Sequence, residues 1–457
     1  MLKRGGDTIV GPATPPGEGG VAIIRLSGSD AETLLRRFFV PSGNNCPFSS
    51  HHLYHGHIFD LDGEPVDEVL AVLMRAPRTF TREDVAEIHC HGGPILVGRI
   101  LDLLVDGGAR LAQPGEFTFR AFLNGRLDLT RAEAVIDLIK AQSAAAGTLA
   151  LRQLDGELSR QLFKFRQILL GLLAETETLI DFPEEDIPLP SLQRLEEGAT
   201  SVAREMGEML KGFAAGRALK EGLSLLILGP PNVGKSSLLN ALLGESRAIV
   251  TDIPGTTRDT IEEPLVIGGF PLRVIDTAGI RESEDPVEVE GVRRTLAKIR
   301  GADLVLVVVD GSQPRGGDDL KSLEACSGKP VLLVVNKADL GTLPLAPPWR
   351  ELPAVVVSSH TGAGLDELGS RIVGIVGGPR GIDVEGGVLL SDRRHREALV
   401  RCQRGLEAFL EGVSHSHDPE LLALELREAL SALGEITGET TPEEVLAVIF
   451  SRFCVGK

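Results

Sequence analysis

The chain has 457 residues, and its 65 acidic against 47 basic side chains give it a net charge of −18 at neutral pH. This length predicts about three domains. The negative charge argues against a protein that simply coats nucleic acid, so any RNA must be met by a local basic patch or by a second protein.

The five cysteines lack Cys-x-x-Cys spacing, which indicates free thiols in a reducing compartment rather than disulfides or a zinc site. The N-terminus has no signal-peptide pattern, and no apolar run reaches about 18 residues. We therefore expect a cytoplasmic protein that does not span a membrane.

Residues 1–124 are predicted to form an α+β domain. His89 and His91 share one face of a predicted strand. Because no further ligand is near them in the sequence, we favour a structural or substrate-contact role over a metal site. The predicted strands are residues 7–10, 21–26, 68–74 and 84–91, followed by a helix at 95–105.

Helical periodicity dominates two stretches, 125–219 and 378–457, on either side of a central segment at 220–377 that has an α/β pattern. Because the termini of a domain usually lie close together at its surface, we expect one helical domain into which the central domain is inserted. The predicted helices are residues 127–180, 192–219, 392–410, 419–433 and 442–450.

The central segment opens with a phosphate-binding pattern. Residues 229–236 read Gly-Pro-Pro-Asn-Val-Gly-Lys-Ser, after an apolar strand at 223–228 and before a predicted helix at 237–243. The backbone amides at such a helix start face phosphate oxygens. Lys235 is the predicted catalytic cation for the β- and γ-phosphates, and the Ser236 hydroxyl is a predicted Mg²⁺ ligand.

Three later segments each follow a predicted strand. Residues 276–279 read Asp-Thr-Ala-Gly, where Asp276 is expected to reach Mg²⁺ through water. Residues 336–339 read Asn-Lys-Ala-Asp, and the last carboxylate can accept from guanine N1–H and N2–H₂, a pair that adenine lacks. Residues 358–360 are expected to close over the base. Ligand sites of open α/β sheets lie at such strand ends, so the sequence predicts binding and hydrolysis of GTP.

The water-positioning glutamine of Ras-type GTPases is absent here. Ile280 stands after the Asp-Thr-Ala-Gly segment and cannot hydrogen-bond to water. Asn232 offers a hard oxygen ligand for a monovalent cation, and segment 251–257 offers backbone carbonyls. The predicted GTP-binding residues are Asn232, Val233, Gly234, Lys235, Ser236, Ser237, Thr251, Asp252, Ile253, Pro254, Gly255, Thr256, Thr257, Asp276, Thr277, Ala278, Gly279, Asn336, Lys337, Ala338, Asp339, Ser358, Ser359 and His360.

Motifs along the whole chain resemble those of one family, MnmE (TrmE), the tRNA-modification GTPases. They are residues 7–10 with 13–17, Pro-Gly-Glu-Phe at 114–117, Ala-Phe-Leu-Asn at 121–124, Gly-Thr-Thr-Arg-Asp at 255–259, and the terminal Cys454-Val455-Gly456-Lys457. The resemblance implies a multidomain α/β protein. Its parts are an N-terminal tetrahydrofolate-binding and dimerisation domain, a helical domain, and an inserted Ras-like P-loop GTPase domain.

The resemblance also implies a homodimer and a flavin-dependent partner, MnmG (GidA), with tRNA met mainly through that complex. Together they modify carbon 5 of the wobble uridine with an aminomethyl or carboxymethylaminomethyl group. The one-carbon donor is 5,10-methylenetetrahydrofolate or 5-formyltetrahydrofolate. For hydrolysis the resemblance implies Glu288 as the carboxylate that organises water and Thr257 on Mg²⁺. It implies K⁺ coordinated by Asn232, Thr251, Ile253 and Thr256.

For folate the resemblance implies Arg25, Glu87, Arg126 and Lys457, with arginine at 126 where the family often has lysine. The chemistry fits, because cations pair with glutamate carboxylates and a carboxylate accepts from pterin N–H groups. From the residues alone, Glu288 is equally a solvated acid. Cys454 is either a nucleophile or a packed small residue.

Two other functions compete. One is a ribosome-assembly GTPase of the Era or Der type, but this chain has one phosphate-binding loop and no Gly-x-x-Gly loop in a KH-like context. The other is a pure signalling GTPase, which leaves residues 1–219 unexplained.

Overall fold

The computed structural model describes residues 6–43, 47–181, 189–246, 265–275, 299–377, 388–415, 418–453 and 456. The chain divides into two compact units. The first contains Met1–Ile136, Gln153–Arg166 and Leu430–Lys457, and the second contains Asp137–Arg152 and Gln167–Ala429. This division assigns parts of the helical segments to each unit, and the domain borders after residues 124, 219 and 377 stay a prediction.

The first unit carries a mixed sheet. Its strands are β1 (Ile9–Pro12), β2 (Gly19–Ser27), β3 (Phe39–Pro41), β4 (His52–Phe59), β5 (Pro65–Met74), β6 (Val85–Gly92) and β7 (Arg110–Leu111). Helices α1 (Ala31–Phe38), α2 (Pro94–Asp106) and α3 (Glu116–Leu123) complete the fold. Among the described residues the strand order is β3-β4-β5-β6-β2-β1-β7. The β1–β7 pair is parallel and the other pairs are antiparallel, which confirms the α+β prediction.

Several of these elements were not predicted. Strand β4 contains three histidines and a glycine, a composition without the apolar alternation that indicates a strand. Helices α1 and α3 have eight residues each, too few for a clear helical period. They form because their apolar side chains are buried in the tertiary structure.

The two faces of the sheet differ in chemistry. Ile24 and Leu26 of β2 and Ile88 of β6 are fully buried in a core with α1 and α2. Side chains alternate between faces along a strand, so Arg25 and Glu87 lie on the opposite face. They are also register partners across β2 and β6. The sheet therefore presents paired charges on the side away from its main core.

The helical segments are more divided than predicted. Their helices are α4 (Leu129–Lys140), α5 (Ala144–Leu154), α6 (Glu157–Asp181), α7 (Leu189–Lys211) and α8 (Phe213–Glu221). The predicted helical stretch at 127–180 thus consists of three helices. Gly156 has a φ of 83° between α5 and α6, a left-handed conformation that interrupts a helix. The Ser143 hydroxyl accepts from the Ala146 N–H at 3.1 Å at the start of α5.

A parallel sheet forms the centre of the second unit. Its elements are β8 (Leu223–Leu228), α9 (Lys235–Ser246), β9 (Leu265–Ile267), β10 (Phe270–Ile275), β11 (Leu304–Asp310), α10 (Gly317–Glu324), β12 (Val331–Asn336), β13 (Ala354–Val356) and α11 (Leu365–Gly377). The described strands are ordered β13-β12-β11-β8-β10-β9, and the β9–β10 pair alone among them is antiparallel. Alternate residues of β11 enter two separate cores, so both faces are covered, as a parallel sheet requires.

The chain ends in three helices. They are α12 (Arg393–Ser414), α13 (Pro419–Thr437) and α14 (Glu443–Ser451). In the first unit Phe450 of α14 is fully buried, and its ring lies 5.1 Å from that of Phe119 in α3 and 5.6 Å from that of Phe453. This aromatic cluster holds the last helix against α3. No helix among the described residues is long and apolar enough to cross a membrane.

Phe450→Ala tests this attachment. We expect it to lower the free energy of unfolding by about 3–5 kcal/mol, because a large side chain leaves a cavity in a closed cluster. Urea unfolding of the full chain measures the loss. Val448→Ala on the same helix is the matched control, since Val448 is 56% exposed. Equal losses in the two variants would show that the cluster does not hold the helix.

Candidate functional site

The predicted phosphate-binding loop lies between β8 and α9. Asn232 has a φ of 65° and Gly234 a φ of 93°, both in the left-handed region. Gly234 is required for a second reason, because a Cβ there would overlap the Nδ2 atom of Asn336. The backbone curls into a concave loop that opens directly onto the first turn of α9.

Lys235 is the first residue of α9, and its ammonium reaches back over the loop. Nζ donates to the carbonyl oxygens of Gly229 at 2.9 Å and Pro230 at 2.7 Å. Burial lowers the pKa of this ammonium, so an anion beside it stabilises the charged form. A lysine together with the first-turn N–H groups of a helix makes an anion site that suits phosphates.

Asn336, the last residue of β12, connects the loop to the base-recognition segments. Its Nδ2 donates to the Val233 carbonyl at 2.9 Å. Its Oδ1 accepts from the backbone N–H of Ser359 at 3.0 Å and from the Ser359 hydroxyl at 2.9 Å. The side chain is 1% exposed, so Asn336 acts by positioning other groups.

Asp339 follows β12 in a short 3₁₀ turn at Ala338–Leu340. Its Oδ1 accepts a 2.5 Å hydrogen bond from the Ser358 hydroxyl, and this bond holds the pKa of the carboxyl below its ordinary value. The carboxylate is therefore an ionised acceptor, as recognition of guanine N1–H and N2–H₂ requires. Its neighbour Lys337 pairs with Asp310 at 2.7 Å.

Asp310 was not identified from the sequence. It ends β11, and the Lys337 ammonium together with the Ser312 hydroxyl and N–H lowers its pKa against the effect of burial. The available signal was an aspartate directly after the apolar run 304–309, the same strand-end placement that identified 336–339. Of the other predicted residues, Ser236 and Ser237 lie in the first turn of α9 and His360 lies in the turn after β13.

The remaining nucleotide and metal predictions fall outside the described residues. They are Thr251 to Thr257, Asp276 to Gly279, Ile280 and Glu288, and outside also lie Cys454 and Lys457. Within the described ranges, no group of three or more His, Cys, Asp or Glu side chains could hold a metal ion. His89 contacts Glu87 at 3.4 Å, whereas His91 contacts Asp67 at 2.7 Å.

A second pocket of about 520 Å³ lies in the first unit and is lined by Arg25, Glu87, Arg126 and Phe80 among others. Arg25 Nε donates to Glu87 Oε1 at 2.8 Å. The Arg126 guanidinium lies 4.9 Å from the centre of the Phe80 ring and donates to the Thr79 carbonyl at 3.0 Å. Three residues that the sequence separates by up to about 100 positions thus line one cavity.

The charge of Glu87 is maintained despite its environment. Burial acts to raise its pKa, but the hydrogen bond from His89 and the charge of Arg25 outweigh burial and lower it. Arg25 also donates to the carbonyl oxygen of Gly456 at 3.3 Å. Gly456 approaches the sheet so closely that a Cβ there would overlap the Pro12 carbonyl, so this residue lies beside Arg25 of the pocket. Phe80 was not predicted as a pocket residue, because packing alone brings it there.

A parallel sheet that carries a Lys-Ser phosphate loop after β8 and an Asn-Lys-x-Asp base segment after β12 defines a P-loop GTPase. Comparisons with known proteins give the family. Residues 8–126 match the model for the GTP-binding protein TrmE N-terminus, and residues 129–454 match the MnmE helical domain.

Two full-length relatives are each called tRNA modification GTPase MnmE. That of Syntrophotalea carbinolica is 56% identical and that of Geobacter sulfurreducens 52%, each over 99% of this chain and 99% of the relative. The chain belongs to the MnmE family of tRNA modification GTPases. Among solved structures, the G domain of the T. maritima FeoB iron transporter is 31% identical over 34% of this chain and 98% of its own, with a TM-score of 0.26.

Asp339→Asn tests the base-recognition site. The amide presents a donor to the guanine N2–H₂ donor, so we expect GTP affinity to fall by about 10²–10⁴-fold, from two charge-assisted hydrogen bonds at about 1.5–3 kcal/mol each. Affinity should shift towards xanthosine triphosphate, whose carbonyl accepts at that position. Equilibrium titration with both nucleotides measures the shift. Asp366→Asn, an exposed aspartate in α11, is the matched control. Tight ATP binding by the unmodified chain would contradict the assignment.

Proposed function

We propose that this chain hydrolyses GTP and, with a flavin-dependent MnmG (GidA) partner, modifies carbon 5 of the wobble uridine of certain tRNAs. A folate one-carbon donor supplies the added carbon. The observation that carries the proposal is the pocket at Arg25 and Glu87, where Arg25 also contacts Gly456, in a chain that matches an MnmE relative over 99% of both lengths. A GTP-binding domain alone explains neither this pocket nor the family match outside that domain.

For GTP, the described residues supply positioning and charge. The loop amides and Lys235 hold the β- and γ-phosphates, while Asp339 selects guanine. The Ser236 hydroxyl lies one residue after Lys235, where P-loop GTPases bind Mg²⁺, and Thr257 is the second proposed protein ligand. Mg²⁺ supplies charge neutralisation on the phosphates.

For transition-state charge, we propose K⁺ held by Asn232, Thr251, Ile253 and Thr256 within a homodimer. Ile280 cannot orient water, and the nucleotide-binding segments contain no evident arginine finger, which in other GTPases contributes about 10³–10⁵ in rate. The left-handed backbone of Asn232 supports this role, because it places the residue at the curl of the phosphate loop.

We expect hydrolysis in Na⁺ to be about 10²-fold slower than in K⁺ at equal ionic strength, the scale of losing one electrostatic contact to the transition state. Steady-state phosphate release in matched buffers measures this. Asn232→Ala should lose the K⁺ response, and Asn240→Ala, in the same unit on α9, is the control. Equal rates in the two salts, or an Asn232→Ala enzyme that still responds to K⁺, would contradict the proposal.

Glu288 is proposed to organise the attacking water. In the same assay Glu288→Ala should lower kcat while GTP affinity stays nearly unchanged, the signature of an interaction made mainly in the transition state. A parallel fall in affinity would make Glu288 a structural residue.

The folate proposal fits the chemistry of the pocket in the first unit. Glu87 is an ionised acceptor for pterin N–H groups, and Arg25 and Arg126 are cations for carboxylates, with Lys457 as a fourth proposed contact. A volume of about 520 Å³ is within the range of small-molecule sites. Either 5,10-methylenetetrahydrofolate or 5-formyltetrahydrofolate supplies the one-carbon unit, and the chain's own residues bind and orient it.

Deleting residues 454–457 separates the two activities. We expect the deletion to abolish wobble-uridine modification, because it removes Gly456 from Arg25 and takes Cys454 and Lys457 with it. K⁺-stimulated GTP hydrolysis should stay near normal, since the phosphate loop is in the other compact unit. Mass spectrometry of tRNA from complemented deletion cells gives the first readout and phosphate release the second.

Cys454→Ser then assigns the thiol. Lost modification with intact folate binding supports a chemical role, whereas intact modification makes Cys454 a packing residue. A deletion that removes GTP hydrolysis but spares modification would refute the assignment of the C-terminal segment to one-carbon chemistry.

A further inference from the structure

The pocket at Arg25 and Glu87 has an unbalanced charge. Four arginines line it, namely Arg25, Arg78, Arg82 and Arg126, against the single carboxylate of Glu87. Glu87 is already engaged by Arg25 at 2.8 Å and by His89 at 3.4 Å. Three guanidinium groups, on Arg78, Arg82 and Arg126, are left; we call these the rim arginines.

Within the described part of the chain, none of the rim arginines is paired with a carboxylate. Arg126 donates to the Thr79 carbonyl at 3.0 Å, and Arg82 donates to the Asn124 carbonyl at 2.9 Å. Other arginines of this unit do have such a partner: Arg75 pairs with Glu32 and Arg99 with Asp60. The rim arginines therefore form a cluster of positive charge, and no carboxylate among the described residues neutralises it.

This arrangement carries an electrostatic cost. Burial, followed by the nearby charges of Arg131 and Arg82, lowers the pKa of Arg126. Arg82 also has a φ of 60°, a conformation that costs free energy in a residue other than glycine. Like charges and a strained backbone beside a cavity are expected where a ligand of opposite charge offsets them.

We propose that the rim arginines bind the γ-linked polyglutamyl tail of a folate, so that the chain prefers polyglutamylated folates to the monoglutamate. The inference rests on the folate-binding function proposed above. Each added γ-linked glutamate contributes one carboxylate along a flexible chain, and planar guanidinium groups bind carboxylates in paired hydrogen bonds. If Glu87 binds the pterin end of the folate, the glutamate carboxylates at its other end face the three rim arginines. Three partly exposed arginines are better suited to the several flexible carboxylates of such a tail than to one buried anion.

The test measures affinity, not catalysis. Purified full-length protein is titrated calorimetrically with 5-formyltetrahydrofolate as the monoglutamate and as the pentaglutamate. We expect the pentaglutamate to bind about tenfold more tightly, the scale of two or three partly exposed ion pairs. The ratio of the two affinities should fall at high salt, because exposed pairs are screened.

The Arg78→Gln/Arg82→Gln double variant should bring this ratio close to one, whatever its affinity for the monoglutamate. The Arg78→Lys/Arg82→Lys variant keeps the charge and should retain part of the ratio. Arg36→Gln/Arg99→Gln is the matched control. It removes the same charge from helices α1 and α2, which cover the other face of the sheet. Thermal unfolding checks that each variant is folded.

The outcomes separate the inference from the proposed function. If the unmodified chain binds both folates equally, the polyglutamate inference is overturned and folate binding stands. If it binds neither, the folate function fails and the inference fails with it. If the glutamine variant keeps the affinity ratio but loses retention of tRNA on a filter, the rim arginines face RNA and the inference is overturned.

Discussion

The buried amide of Asn336 is the interaction on which the nucleotide site depends. One amide joins three segments, because Nδ2 holds the phosphate loop at Val233 while Oδ1 holds Ser359. A buried amide must make hydrogen bonds with all its donors and acceptors. The amide and its partners therefore fix one another's positions. The absence of a side chain at Gly234 leaves the space that this amide occupies. Phosphate and base recognition are therefore parts of one hydrogen-bonded structure.

A different constraint shapes the first unit. The two faces of an antiparallel sheet receive alternate residues, and burying one face under α1 and α2 obliges Arg25 and Glu87 to share the other. The opposite charge of Arg25 stabilises the ionised form of Glu87, so this partly buried carboxylate stays charged beside a cavity. The aromatic cluster at Phe450 holds the last helix on α3, and the segment after it reaches Arg25 at Gly456. Packing of apolar rings thus brings the end of the chain to a polar pocket near its beginning.

The charge of the whole chain and the charge of its pocket have opposite signs. The net charge of −18 repels polyanions at long range, whereas the pocket at Arg25 gathers four arginines. The concentration of cations at this pocket therefore favours a negatively charged ligand there. This charge distribution agrees with the proposals that tRNA is met mainly through a partner and that the pocket binds a small anionic ligand.

The sequence by itself determined the motifs whose chemistry depends on neighbours along the chain. These motifs are the loop at 229–236, the Asp339 carboxylate and the apolar strands between them. Each can be recognised from the spacing of nearby residues once a parallel sheet is assumed. Phe80 could be placed at the pocket only by the tertiary structure, because its partners there lie far away in sequence. Asp310 had a strand-end signal in the sequence, but its ion pair with Lys337 is visible only in the fold. The helical stretch predicted at 127–180 consists of three helices, since periodicity records apolar faces but neither the cap at Ser143 nor the left-handed turn at Gly156. Local order follows from nearest neighbours, whereas the charge balance of a cavity depends on which distant side chains packing brings together.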